Sequence, residues 1–430
     1  MTQLKSGFLT DVWNKNVRDW LCCICCMGMF AGMLFSRALL SISMVVFIVN
    51  ALHPESIRQS FTQWKQSAFA KWAILFVLAY LISGIWSEDA GQWFVTWKGK
   101  IPFLILPLAF FSAPFNQYKF RLVVTFSIAA LLSAAMINSI AALIANPTYY
   151  LEGYEQSHPL PTTVYGDHIR FSLSIVLSML LCFFVLFEKQ ERKLSSLSKI
   201  LLWSYCILSF VYIHILAAKT GIMALYVMLG IYTLIRVSRY KRWLGIAALA
   251  GIPLLAIIAF ATVPTFKTKL QYVQQEIDQY KRDGRFDYNY SDNGRMITYE
   301  LALHILKQKP LTGTGTGDLL QEMKKGYDEF YPEVPEKNRL VPHNQFLFTA
   351  TGTGVILVLA LIGMVFAPLF SKANNKLYLI TNTIVFLAAL MVEAMLEIQF
   401  GVFLYLFFTM LWISMLLPER GRDGLHPSPQ

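Results

Sequence analysis

Apolar residues fall in blocks along most of this chain, and the blocks repeat at one characteristic length. Runs of about 17 to 25 residues, near what an α-helix needs to cross a bilayer, recur along it. They lie near 20–36, 38–53, 70–86, 101–114, 121–145, 169–187, 197–217, 221–236, 243–263, 345–369, 377–395 and 398–417. The pattern predicts twelve spans. One interval breaks it: Pro264–Leu347 is long, polar and rich in charge. Within it Phe266, Leu270, Val273, Ile277 and Tyr280 alternate steps of four and three, the signature of an amphipathic helix between Pro264 and Gly284. The apolar face of that helix needs a surface, either the lipid interface or the tops of the spans. A second helix is expected from about Arg295 to Lys309, where Pro310 stops it, and a third from Asp318 to about Lys325. No strand-length alternation and no internal repeat stands out. The expected fold class is therefore an all-α polytopic membrane protein with about 12 transmembrane helices and one large helical loop. Its organisation is 1–263 for spans one to nine, 264–344 for the loop, 345–417 for spans ten to twelve, and 418–430 for a tail.

Composition supports this: 56% of residues are hydrophobic and the mean hydropathy is +0.49. The net charge of +11 could suggest nucleic acid, but the basic residues are spread among short loops rather than set in a stripe with aromatics. Topology explains them better. Arg58, Lys65, Lys119, Arg121, Lys189, Arg192, Lys193, Arg236, Arg239, Lys241, Arg242, Lys372, Lys376, Arg420 and Arg422 fall on one side of the predicted spans. The opposite side holds fewer, chiefly Arg37, Lys98, Lys100, Arg170 and Lys219. The positive-inside bias then puts both termini in the cytoplasm and the long loop outside. The six cysteines lie in or beside spans and leave the loop without a disulfide. The first apolar segment lacks a convincing small-residue cleavage site and reads as a retained anchor.

Candidate chemistry collects on the outer side. Arg295 follows Asn293-Gly294 at the mouth of a predicted helix, where its guanidinium would join unpaired backbone N–H groups and a positive dipole end in a corner suited to phosphate. His343 and Asn344 open the tenth span; the helix dipole there favours the neutral imidazole that a general base needs, and Asn344 can cap the helix. Gly313-Thr314-Gly315-Thr316-Gly317 lacks the preceding strand of a nucleotide loop and reads instead as a tight turn that could present amides to an anion. Asp167, His168 and Arg170 open the sixth span, His214 and Lys219 close the seventh, and Glu393 and Glu397 sit between the last two. Ionisable groups at such depth are functional suspects, although the two glutamates, spaced i, i+4, are expected to be structural. The sequence shows no acidic pair for a nucleotide-sugar metal site, no P-loop and no His-Glu-x-x-His.

Twelve spans, one outward loop before the tenth, Gly294-Arg295, then Lys-Pro-Leu-Thr-Gly-Thr-Gly-Thr-Gly, His343-Asn344-Gln345-Phe346-Leu347 and Gly352-Thr353-Gly354 together resemble the O-antigen ligase (WaaL) and Wzy polymerase superfamily. Its motifs occupy about residues 294–354. The resemblance implies a GT-C-like membrane glycosyltransferase of the bacterial inner membrane, its site facing the periplasm. It implies an undecaprenyl-pyrophosphate-linked glycan as donor, the lipid A-core of lipopolysaccharide as acceptor, membrane lipids as surroundings, and no metal, cofactor or nucleic acid. The transfer would be inverting. Carried over, Arg295 matches the loop arginine and His343-Asn344 the His-Asn pair. His343 would act as general base, while Arg295, Lys219 and Arg170 would bind pyrophosphate. Asp167, His168, His214 and Asn344 would help to position substrate. Lys219 stands where the family commonly has arginine, keeping the charge without the bidentate fork, and Leu357 stands where a small or aromatic residue is usual. The same chemistry with another acceptor would make a polymerase or a protein oligosaccharyltransferase; a flippase or transporter is the non-enzymatic alternative.

Overall fold

A computed structural model describes residues 14–153, 160–188, 193–238, 264–283, 286–288, 291–373 and 375–417, together with 251, 257–258 and 261–262. Every regular element among them is helical. In chain order these are α1 Lys15–Phe35, α2 Arg37–Ala51, α3 Pro54–Gln66, α4 Ala68–Ile82, α5 Ala90–Lys98, α6 Pro102–Ser112, α7 Tyr118–Ala145, α8 Pro147–Gly153, α9 His168–Phe187 and α10 Ser196–Leu216. Then come α11 Lys219–Ser238, α12 Pro264–Asp283, α13 Ser291–Gln308, α14 Leu319–Phe330, α15 Gln345–Thr353, α16 Val355–Phe366, α17 Leu377–Val392 and α18 Gln399–Leu416, with short 3-10 turns between some of them.

The chain is a polytopic helical membrane protein. Eight described segments are long and apolar enough to cross a bilayer, or nine if α2 and α3, bent by 100° at Leu52–His53, form one span. The expected span at 243–263 lies largely outside the described residues. Lipid tails are as apolar as leucine side chains, so contact between spans depends on close packing and small residues. Gly32 shows this where α1 meets α2, since a Cβ there would come within 2.3 Å of the Leu40 nitrogen. The innermost spans are α9 and α18, each with 89% of its apolar core segment buried. Phe403 and Phe407 of α18 pack edge-on against Phe30 of α1.

The expected tenth span is not continuous. It breaks at Gly354, whose φ of +89° ends α15 before α16 begins. The Gly-Thr run docks into that break: the Thr314 and Gly315 amides donate to the carbonyls of Thr351 and Gly352 at 2.8 and 3.0 Å, and Val355 N donates to Pro310 O at 2.9 Å. A broken helix inside a membrane protein must have its freed carbonyls met by other protein groups, and the run meets them. Its amides are therefore spent on packing rather than offered to an anion. A Cβ at Gly354 would lie 1.9 Å from the Leu311 carbonyl oxygen, so Gly354→Ala is expected to destabilise the fold by on the order of a few kcal/mol. Gly352→Ala, where the nearest atom is the Thr316 methyl at 3.1 Å, is the control. Thermal unfolding in detergent should separate the two; equal midpoints would show that the break tolerates a side chain.

The three loop helices form as expected, with α12 and α13 close to their expected ends. The orientation of α12 is the surprise. Glu276 and Gln279 turn inward, 3% and 8% exposed, whereas Leu270, Ile277 and Tyr280 of the apolar stripe are exposed. Val273 of the same stripe is half-buried.

Candidate functional site

Glu393 is the centre of the site. It follows the last turn of α17 in an extended conformation and gathers groups from three other helix ends. Its Oε1 accepts from the Arg170 guanidinium at 3.0 Å, and its Oε2 accepts from His343 Nδ1 at 3.0 Å, with an Arg295 Nη2 at 3.8 Å. The Glu393 and Arg170 side chains are each 6% exposed, while His343 and Arg295 are 22% and 21% exposed. The carboxylate and Arg170 thus form a buried base, and the imidazole and the second guanidinium stand at the accessible edge. Burial pushes the Glu393 carboxyl up, but the bond from His343 and the charges of Arg170, His343 and Arg295 outweigh it and hold the group at about 2. With Nδ1–H donated to this carboxylate, a neutral ring keeps its lone pair on Nε2.

Each contributor is fixed locally. Asp167 caps α9 by accepting from Arg170 N at 3.0 Å, and the same oxygen lies 3.5 Å from the Arg170 guanidinium. Asn344 caps α15, accepting from Leu347 N at 3.0 Å, and its amide donates to Met391 O at 2.9 Å. The capping role and the contact across the site belong to one side chain. Tyr299, one turn beyond Arg295 on α13, donates its hydroxyl to His343 O at 2.8 Å. Burial pushes this phenol up, so it remains a donor.

A second carboxylate extends the cluster. Asp292 lies 2.5 Å from Lys219 Nζ and 3.6 Å from the Arg295 guanidinium, so one acid bridges the two accessible cations. Lys219 is also 3.7 Å from Glu276, whose other oxygen accepts from the backbone N–H groups of Asp292 and Asn293 at 2.7 and 2.8 Å. This corrects the expectation for the mouth of α13: two of the amides read as a phosphate corner already hold Glu276. The cations left at this corner are the Arg295 and Lys219 side chains, each within 4 Å of Asp292.

Arg170, Arg295, His343, Lys219, Asp167 and Asn344 therefore converge. The other two predicted residues bond elsewhere. His214, 1% exposed, places its ring nitrogens 2.8 Å from Phe210 O and 2.8 Å from the Tyr226 hydroxyl, and His168 Nδ1 is 3.4 Å from Gly166 O. Glu393 and Glu397, expected to be structural at their i, i+4 spacing, do not share a helix. α17 has ended by Val392, and a 3-10 turn over Met395–Glu397 sends the two carboxylates into separate networks. Sequence reading missed Glu393 as the centre and Tyr299 altogether. An acid at a span end among several cations, and a tyrosine one helical turn from Arg295, were the signals available.

Glu397 lies on the far side of that turn and binds Lys100, which is 2% exposed rather than a solvated loop cation. Beside this pair opens a cavity of about 650 Å³ between the ends of α2, α5, α6 and α18, lined largely by apolar side chains such as Met44, Ile48, Ile105, Leu319 and Val402. Among the described residues no group of three or more His, Cys, Asp or Glu side chains is arranged to hold a metal ion.

Residues 204–362 match the family model Wzy_C, described as O-antigen ligase. The matched segment contains Lys219, Arg295 and His343 but neither Arg170 nor Glu393. Over 257 residues the chain is 24% identical to an uncharacterized protein of Haemophilus influenzae, a match that covers 57% of this chain and 59% of that protein's length.

Proposed function

We propose, from the match of residues 204–362 to the O-antigen ligase family model, that the chain is an inverting glycosyltransferase of the bacterial inner membrane with its site facing the periplasm. It moves a glycan from undecaprenyl pyrophosphate to a sugar hydroxyl of lipid A-core. The observation that supports this reading most directly is the sharing of one buried carboxylate by His343 and Arg295, which brings a base and an anion-binding cation to the same edge.

In this reading His343 Nε2 takes the proton of the acceptor hydroxyl as that oxygen attacks the anomeric carbon. The bond from that carbon to the pyrophosphate oxygen breaks on the opposite face, which inverts the configuration. Negative charge then grows on the leaving pyrophosphate, where Arg295 and Lys219 meet it with pre-positioned donors. Asp292 lies between those cations, and in this reading the incoming pyrophosphate displaces it as their counter-charge. Arg170 acts from behind by holding Glu393. The apolar cavity beside Glu397 suits a lipid tail.

The test is transfer by the purified full chain, given undecaprenyl-pyrophosphate-linked glycan and lipid A-core. Glycan on lipid A-core is the expected product. Lengthening of the lipid-linked glycan itself would make the protein a polymerase, and consumption of neither substrate would remove the enzymatic reading.

A further inference from the structure

His343 is one of three consecutive residues whose side chains all reach the segment 391–397. His343 binds Glu393, Asn344 binds Met391 O, and Gln345 binds both Leu396 N and Glu397. Asn344 is extended, with φ −150° and ψ 117°, so the side chains of residues 343 and 345 leave the backbone on the same side. Whatever holds Gln345 therefore also sets where His343 points.

Gln345 is fully buried and held at both ends. Its amide oxygen accepts from Leu396 N at 2.7 Å, and its amide nitrogen donates to Glu397 Oε1 at 2.7 Å and to Thr349 Oγ1 at 3.2 Å. The Tyr80 hydroxyl donates to the same Glu397 oxygen at 2.8 Å. Lys100 Nζ donates to Glu397 Oε2 at 2.7 Å and to Leu396 O at 2.6 Å, and it lies 4.6 Å from the centre of the Tyr80 ring. Both oxygens of Glu397 are thereby used.

Stability alone does not account for such a network. Taking an ammonium and a carboxylate out of water costs several kcal/mol per ion, and well-packed apolar side chains often serve a fold equally well. A closed set of directional bonds does supply register, because it is satisfied in only one alignment of residues 343–345 against 393–397.

We propose that Gln345, fixed by Glu397 and Lys100, is a positioning residue that holds His343 against Glu393 for proton transfer. This rests on His343 being the base. Misplacement of a reacting group by about 1 Å costs on the order of 100-fold in rate.

The experiment measures transfer kinetics for the full chain in detergent, normalised to monodisperse folded protein, for wild type, His343→Ala, Gln345→Met and the charge-free pair Lys100→Met/Glu397→Gln. For Gln345→Met, kcat falls about 10- to 100-fold while KM for the lipid-linked donor moves less than about 2-fold. The charge-free pair removes the groups that fix Gln345 and lowers kcat in the same direction, again with KM for the donor moving less than about 2-fold. Transfer that needs His343 but proceeds at the wild-type rate per folded Gln345→Met molecule overturns the inference alone. Transfer that survives His343→Ala overturns the reading of the site and the inference with it.

Discussion

Glycan transfer by His343→Ala is expected to fall by about 100- to 10,000-fold, the range that a positioned general base contributes. The loss should appear in kcat, because the imidazole is engaged by Glu393 on one nitrogen and, in the proposed reaction, acts on the acceptor proton with the other. Donor binding, assigned in that proposal to Arg295 and Lys219, should persist, so KM for the lipid-linked donor is the internal control. A variant that loses donor affinity and keeps its turnover would place His343 among the binding groups and leave the reaction without its base.

Removing the centre of the cluster has the other large effect, on stability. Glu393→Gln keeps the size of the side chain but removes the nearer of the two carboxylates that face the Arg170 guanidinium, 6% exposed, and leaves it Asp167 at 3.5 Å. Breaking a buried pair in this way costs about 3 to 5 kcal/mol. The acid titration gives an independent measure. The folded carboxyl sits at about 2, below its ordinary 4.5, so on acidification the unfolded chain takes up the proton first. Its stabilising contribution is complete above pH 4.5 and drains away as pH falls towards 2. A displacement of this size corresponds to about 3 kcal/mol, at 1.36 kcal/mol for each pH unit. Thermal midpoints of the wild-type chain should therefore drop through that window, and those of Glu393→Gln should start lower and drop less. Parallel curves would assign the acid sensitivity to other carboxylates.

The helical membrane class and the three loop helices were legible because each rests on a local rule: apolar length for the former, the four-and-three spacing for α12, and Pro310 as a stop for α13. Even so, eight or nine described segments, rather than twelve, are long and apolar enough to cross a bilayer. That Arg295, Lys219 and His343 stand at helix ends beside the long loop was legible in the sequence; their roles rest on the proposal. What could not be read depends on pairings between distant segments. Glu393 and Glu397 look alike in one dimension, yet Glu393 faces Arg170 and His343 while Glu397 faces Lys100 and Tyr80. The stripe on α12 was visible, but the direction it faces was decided by the need of the Asp292 and Asn293 amides for Glu276. That pairing turned the polar side inward and left Leu270, Ile277 and Tyr280 outside. The break at Gly354 was hidden because an apolar run looks the same with or without an interruption.

Glu393 lies beyond α17 and is made after every group it gathers. As the chain emerges from the ribosome, Arg170, Lys219, Arg295 and His343 all enter the membrane or cross it before the acid that joins them exists. A chain arrested before residue 393 has all of its accessible cations and its imidazole but no hub to bring them together. In the proposed reaction competence therefore arrives only with the end of α17, and truncation after the long loop is expected to abolish transfer however intact that loop remains.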